Sequence, residues 1–500
     1  MAKQKKHTPR TLKKHVSKDG LVKQLKVQEA YQKKSALLKA QLDNDSVCME
    51  LQKSAIENGT ECVVFLSVCN TKERASVFTG TGKTLEAAFA KANTQALTAV
   101  NQGLETVWMK MDVVHTSQTV STTALQKMLK ESRQEFFRYG IAFDEKYDTA
   151  LLEAELNGHK IYDYKEHGIN LQYLNTYLKR AGRTPLNELP ETYQLFSCYG
   201  WVCDETQVVH TLYHDGLHYG RRELACIDNH YVEQILGTAT QFLVQQVKKD
   251  GSFIYGMYPR FDNHINGYNI MRHTSTLWSL LCRYQMQPSW ELKRIIDMAF
   301  EYVLRFIRFA DKETAFLYEE TADELKLGAN GVAIIAMTEY MKVFNNQKYT
   351  ELCKLLGNGI LMLLDQTTGT YYHVLDGDFL PKEKYRTVYY DGEATFALCR
   401  LYTLTNDKKW LDAAVSAVNH FIEADYTKHR DHWVAYAMNE ITKHITDNQD
   451  YYKFALRNVQ VNLKQIHDRD TTYHTFLEML MVAFETYHRM LEHGITPESL

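Results

Sequence analysis

Residues Tyr389 to Ala414 read YYDGEATFALCRLYTLTNDKKWLDAA and set two kinds of helix end to end. In the first, Ala394, Phe396, Ala397, Leu398, Leu401, Tyr402 and Leu404 place apolar groups nearly all round the helical wheel, as burial on every side requires. In the second, from Trp410 to Ile422, apolar positions alternate with Asp412, Ser416, Asn419 and His420, which leaves one wet face. The stretch therefore encodes a helical hairpin with one inner and one outer arm.

The hairpin is repeated. An aromatic residue opens an outer-type segment at Tyr231, Trp290, Tyr349, Trp410 and Tyr451, with gaps of about 60 residues that shorten to about 40 at the end. A more apolar set begins near Thr274, Asn330, Gly392, Asp431 and Thr475. A fixed period of this size means one supersecondary unit copied and stacked. The pattern predicts a mainly α protein whose C-terminal part is an α/α toroid of five to six helical hairpins, with an open solenoid as the alternative.

Composition fits that reading. A chain of 500 residues, 45% hydrophobic and 24% charged, can bury a large core, and only 7 prolines and 24 glycines suit a helix-rich body. No stretch approaches the roughly 18 uncharged apolar residues of a membrane span. The start, MAKQKKHTPRTLKKHVSK, is basic but lacks the apolar core of a secretory signal. The 9 cysteines are scattered, several inside apolar segments (Cys282, Cys353, Cys399), which points to reduced thiols and a cytoplasmic protein. Zinc-type Cys/His spacing is missing, so no metal and no cofactor are expected.

The net charge of -3 hides an asymmetry, because residues 1–40 carry a dozen Lys and Arg against Asp19 and Glu29. Such an arm suits an anionic membrane surface, which would make the protein peripheral there, or nucleic acid; a solvated tail is the plain alternative. Three regions are expected: a basic, partly helical arm over 1–44, a small α/β module with a helical connector over 45–165, and the toroid over 166–500. Within the module, Cys62–Val68 and Arg74–Thr79 read as strands, Leu85–Val100 as a helix and Val107–Val114 as a strand. The turn Gly80-Thr81-Gly82-Lys83-Thr84 resembles a phosphate loop, but Val77 stands where that motif needs its first glycine.

Long connections at 248–273, 309–328 and 365–391 gather at one end of the toroid, where functional residues would collect on a rigid frame. Three clusters follow from them. Arg260, Tyr268, Arg272 and His273 suit an anionic or polyhydroxylated ligand, since arginine offers a planar donor fork. Tyr390, Asp391 and Glu393 open the third inner helix, where the helix dipole favours a carboxylate base or nucleophile; Asp391 also suits a helix cap. Asp431, His432 and Trp433 open the fourth, with Asn330 and His474 as further contributors. Paired carboxylates are what glycosyl chemistry needs. Glu393, Asp431, Asp391 and His273 are the catalytic candidates, and Arg260, Tyr268, Arg272, Asn330, Tyr390, His432, Trp433 and His474 the substrate-binding ones.

The runs DGSFIYGMYP, YNIMRHTSTLWSLL, GANG at 328–331, YYDGEATFALCRLYTLTNDKKWLDAA and RDHWVAYAMNEI resemble the six-hairpin glycosidase-type superfamily over about residues 200–495. That group includes unsaturated glucuronyl hydrolases, N-acylglucosamine 2-epimerases and the helical domains of uronyl epimerases. The resemblance implies histidine chemistry for an epimerase (His273, His432) or aspartate chemistry for a hydrolase (Asp391, Asp431). Together these features describe an enzyme of glycoside hydrolase or sugar epimerase type acting on a saccharide or glycan ligand. The alternative is a non-catalytic glycan-binding or assembly protein, with a protein partner or oligomer.

Overall fold

A computed structural model describes residues 18–132, 136–258, 263–468 and 473–497, without the side chains of 18–23 and of residue 217. Arg260 and the first 17 residues of the basic arm lie outside the described residues. The chain divides into two compact units, one ending at Cys226 and taking in Tyr258–Asn263, the other comprising Ile227–Met257 and everything from His264 onward.

The N-terminal unit starts with α1 (Lys18–Asn44), α2 (Ser46–Asn58), β1 (Cys62–Cys69), β2 (Ser76–Gly82), α3 (Leu85–Asn101) and β3 (Trp108–Ser121). It continues through α4 (Thr122–Lys130), β4 (Gly140–Ala142), β5 (Ala150–Leu151), α5 (Glu153–Gly158), β6 (Tyr162–Asp163), β7 (Gly168–Ile169), α6 (Leu171–Arg180), β8 (Thr192–Cys203) and β9 (Val209–Leu212). One sheet runs β2-β1-β3-β8-β4-β5, with β9 paired to β8. Strand β1 is apolar apart from Ser67 because both of its faces are covered: Val64 and Leu66 pack with Phe89 and Trp201, Val63 and Phe65 with Leu152 and Phe196.

Residues 166–226, placed with the hairpins from sequence, instead fall in this unit, and of them β8 and β9 join its sheet, β8 pairing with β3 along its whole length. The glycine turn before α3 serves packing: a Cβ on Gly80 would overlap the Ala88 carbonyl, and Thr84 Oγ1 caps the helix by accepting from Ala87 N at 3.1 Å.

The second unit holds the hairpins. Its helices are α7 (Asn229–Gln245), α8 (Ile270–Met286), α9 (Trp290–Leu304), α10 (Leu327–Val343), α11 (Thr350–Met362), α12 (Tyr389–Thr405), α13 (Lys408–Glu423), α14 (His432–Ile441), α15 (Gln449–Gln460), α16 (Leu463–Asp468) and α17 (Tyr473–Glu492). Helices α8, α10, α12, α14 and α17 are successive neighbours, and α9, α11, α13 and α15 pack outside them. Every residue of α10 from Leu327 to Met341 is buried. In α13 burial is confined to Trp410, Ala413, Ala414, Ala417, Val418 and Phe421, one stripe of an amphipathic helix.

The long connections are ordered into strands. After the short pair β10 (Met257–Tyr258) and β11 (Asn263–His264) come β12 (Ile307–Phe309), β13 (Ala315–Glu319) and β14 (Glu324–Lys326). Then follow β15 (Leu364–Asp365), β16 (Thr370–Tyr371), β17 (Val374–Leu375) and β18 (Pro381–Glu383). A five-stranded sheet, β12-β13-β14-β17-β18, leads from β14 directly into α10 and from β18, after a short connection, into α12.

Candidate active site

Glycines bring the inner helices unusually close where α12 begins. A Cβ on Gly392 would sit 2.6 Å from Val434 N of α14, and one on Gly328 of α10 would overlap Glu393 Oε2. The first turn of α12 is thus sealed between its neighbours. Asp391, Glu393 and Asp431 are 4%, 2% and 0% exposed. Carboxylates are almost never so buried without partners.

Asp391 has two. Helix α12 begins at Tyr389, so Asp391 lies inside the first turn and does not act as the cap that its residue type suggests. Its Oδ1 lies 2.7 Å from His373 Nε2, and its Oδ2 accepts from the Tyr426 hydroxyl at 2.7 Å. His373 Nδ1 accepts the backbone N–H of Arg386 at 3.0 Å, so the ring proton must sit on Nε2 and be donated to Asp391. Arg386 is itself fixed by a two-pronged pair to Glu324 at 2.9 and 3.0 Å, which with Lys382 and Lys326 holds that carboxyl down at about 2.

Glu393 and Asp431 differ. Asp431 caps α14 through Oδ1, accepting from Trp433 N at 2.9 Å, but its Oδ2 has no partner. Glu393 Oε2 is likewise buried and unpartnered. Burial, then the charges of Asp431 and Asp391, push the Glu393 carboxyl well above the ordinary range. Burial and the charge of Asp391 push Asp431 upward, against the pull of its backbone bond to Trp433. Desolvation therefore outweighs the dipole, and the start of α12 favours a protonated acid where the sequence suggested a base or nucleophile.

The aromatic surroundings come from several elements. The rings of Tyr385 and Tyr390 lie 4.8 and 5.4 Å from His373, and that of Tyr389 lies 5.8 Å from His432. Tyr385 and Tyr389 are 55% and 43% exposed. Trp433 packs with Trp278 and Tyr436 at 5.7 Å from each. Burial lowers His432 to about 4, which keeps its ring neutral between Asp431 and Glu478; His474 is exposed.

The cluster at the start of α8 is a different object. His273 Nε2 donates to the Ala299 carbonyl at 2.9 Å, and Nδ1 lies 2.7 Å from the Tyr268 hydroxyl, which also accepts from Phe253 N. Burial lowers His273 to about 4. Arg272 is exposed and donates to the Tyr255 hydroxyl at 3.1 Å. These residues, with Phe242, Met257 and His264, line a cavity of about 450 Å³. Asn330 is wholly engaged, accepting from Leu317 N and donating to the Ala315 and Leu356 carbonyls.

His373 and Tyr426, 18 and 35 residues from Asp391 in the chain, escaped the sequence reading because they lie in connections with no motif of their own. Among the described residues no group of three or more His, Cys, Asp and Glu is disposed to hold a metal ion, and no helix is long and apolar enough to cross a membrane.

The chain is similar, at low identity, to several solved structures. Cellobiose 2-epimerase from Bacillus thermoamylovorans aligns at 13% identity and a TM-score of 0.42, over 53% of this chain and 88% of that one. A D-mannose isomerase aligns at 12% identity and 0.40, over 49% and 72%. An alpha-1,6-mannanase from Salegentibacter aligns at 12% identity and 0.35, over 51% and 99%. No family model and no curated protein matches. At such identity no residue role is transferred.

Proposed function

We propose that the hairpin unit is a saccharide-processing enzyme whose acid–base pair is Glu393 and Asp431. The observation that carries this reading is the pair of buried, unpartnered carboxyl oxygens at the starts of adjacent inner helices. Natural cores rarely leave such atoms unsatisfied, and groups whose environments push proton affinity upward cluster at catalytic sites. Two interacting acids share protons as a pair, so a proton held by one relieves the other of the repulsion between two like charges. Glu393, flanked by the charges of both aspartates, is the acid that protonates a glycosidic or ring oxygen; Asp431 is the base. Tyr385 and Tyr389, exposed beside His373 and His432, supply rings for a sugar face.

The bonds of Asp431 to Trp433 N and of Asp391 to His373 and Tyr426 favour a second reading, a glycan-binding platform whose carboxylates are structural. A thermal-shift panel of neutral sugars, uronic acids, N-acetylated sugars, nucleotide sugars and a short RNA, run on wild type and Glu393→Gln with product analysis of any stabilising sugar, separates the two. The enzyme reading expects turnover of one sugar class that the variant loses. Sugar binding without product, unchanged in Glu393→Gln, sinks it in favour of the platform. A response to RNA alone moves the ligand away from this site.

A further inference from the structure

We infer that His373 and Tyr426 are positioning residues that clamp Asp391 as a fixed carboxylate, so that it takes no part in attack or proton transfer and acts through its charge on the neighbouring acid Glu393. The inference rests on the acid–base reading of Glu393 and Asp431 and assigns the third buried carboxylate a separate part.

The geometry is a closed set of bonds. Arg386 N fixes the His373 ring by donating to Nδ1, His373 Nε2 donates to Asp391 Oδ1, and Tyr426 donates to Oδ2. The Tyr385 and Tyr390 rings hold the imidazole from the sides. Both donors are neutral, so they stabilise the Asp391 anion without cancelling its charge. A carboxylate with both oxygens engaged this way is a poor nucleophile and a poor base. Its charge is felt across the sealed interior by the two neighbours that have an oxygen free.

The other ionisable groups facing Asp391 do not offset it. Tyr371 bonds to Thr395, whose hydroxyl donates to the Asp391 main-chain carbonyl. Burial pushes the Tyr371, Tyr385 and Tyr426 phenols up and the His429 imidazole down, so all four stay neutral near pH 7. Glu393 on the same helix and Asp431 on α14 complete the set.

The test is an infrared titration of the carbonyl stretch of protonated carboxyl groups in the full chain, which needs no substrate. Glu393→Gln identifies the Glu393 band by its loss. Asp391→Asn is expected to lower the pH midpoint of that band by about one to three pH units, the usual effect of deleting one adjacent charge. Tyr426→Phe, which removes a single hydroxyl, is expected to lower it less. His373→Gln keeps a donor and is expected to preserve the wild-type titration, whereas His373→Phe, which only fills the space, is not. An unchanged Glu393 midpoint in Asp391→Asn overturns the inference, as does a wild-type titration in His373→Phe or Tyr426→Phe. A chain that turns over no sugar yet shows these shifts defeats the enzyme reading alone; a catalytic chain without them defeats the clamp alone.

Discussion

At the start of α8, Asn269 caps the helix and His273 spends both ring nitrogens on the Ala299 carbonyl and the Tyr268 hydroxyl. At the starts of α12 and α14, Asp391 is equally engaged, but Glu393 and Asp431 each keep a buried oxygen without a partner. Both places combine a capping residue, aromatic rings and a titratable side chain at the mouth of an inner helix. What separates them is satisfaction of hydrogen-bonding capacity. A satisfied buried group contributes to stability, and an unsatisfied one costs stability that only another use of the site explains.

The largest effect expected from that contrast is on turnover. Glu393→Gln is expected to lower kcat by about 10²- to 10⁴-fold, the usual contribution of a positioned acid or base, with the fold intact. His273→Gln at the other mouth should leave turnover within a few-fold. Equal losses in both variants would merge the two places into one site, and full activity in Glu393→Gln would make its burial structural.

Stability should respond in the opposite order. Asn330→Ala strands Leu317 N in the core, at about 1–3 kcal/mol, and also removes the bonds to the Ala315 and Leu356 carbonyls. His273→Leu removes two hydrogen bonds, to the Ala299 carbonyl and the Tyr268 hydroxyl, and should cost about 0.5–1.5 kcal/mol for each in a denaturant titration. A neutral result at either position would mean that water replaces the lost bonds.

The pH dependence sharpens the comparison further. The folded chain holds the Glu393 proton more tightly than the unfolded chain, whose carboxyl titrates near 4.5. Unfolding therefore releases a proton once the pH exceeds about 4.5, and the Glu393 contribution to stability falls as pH rises from there toward the folded value. Replacement by glutamine removes that slope, so the variant should gain on wild type with rising pH. Glu324 runs the other way: held at about 2 by Arg386, its contribution is complete above about 4.5 and lost as pH falls toward 2. A parallel pair of stability–pH curves for wild type and Glu393→Gln would show that Glu393 ionises freely in the folded chain.

The elements of the hairpin unit were readable because inner and outer helices carry different periodicities. Trp290 and Trp410 fall within the first three residues of α9 and α13, and Asn330 and Gly392 lie three residues inside α10 and α12. The edge of the N-terminal unit was hidden, since β8 finds its partner β3 at long range and nothing local marks the pairing. At the site, residue type marked Asp391, Glu393 and Asp431, but not their protonation. That depends on how completely Gly328 and Gly392 let α10 and α14 close over them. His373 was invisible because its meaning comes from two bonds, to Arg386 N and to Asp391, made by a loop residue.

The smallest effect belongs to the rim of the α8 mouth. Arg272 is exposed and holds one bond to the Tyr255 hydroxyl beside a cavity of about 450 Å³. An exposed charged side chain of this kind contributes about 0.2–1 kcal/mol, because water competes for its donors and its long stem must be ordered. Arg272→Ala is thus expected to leave the melting temperature almost unmoved. A loss of stabilisation by uronic acids but not by neutral sugars in this variant would bring this cavity into the substrate path. If stabilisation by every sugar is unchanged, the α8 mouth is a structural counterpart of the α12 and α14 mouth, similar in its residues and different in what they leave unbonded.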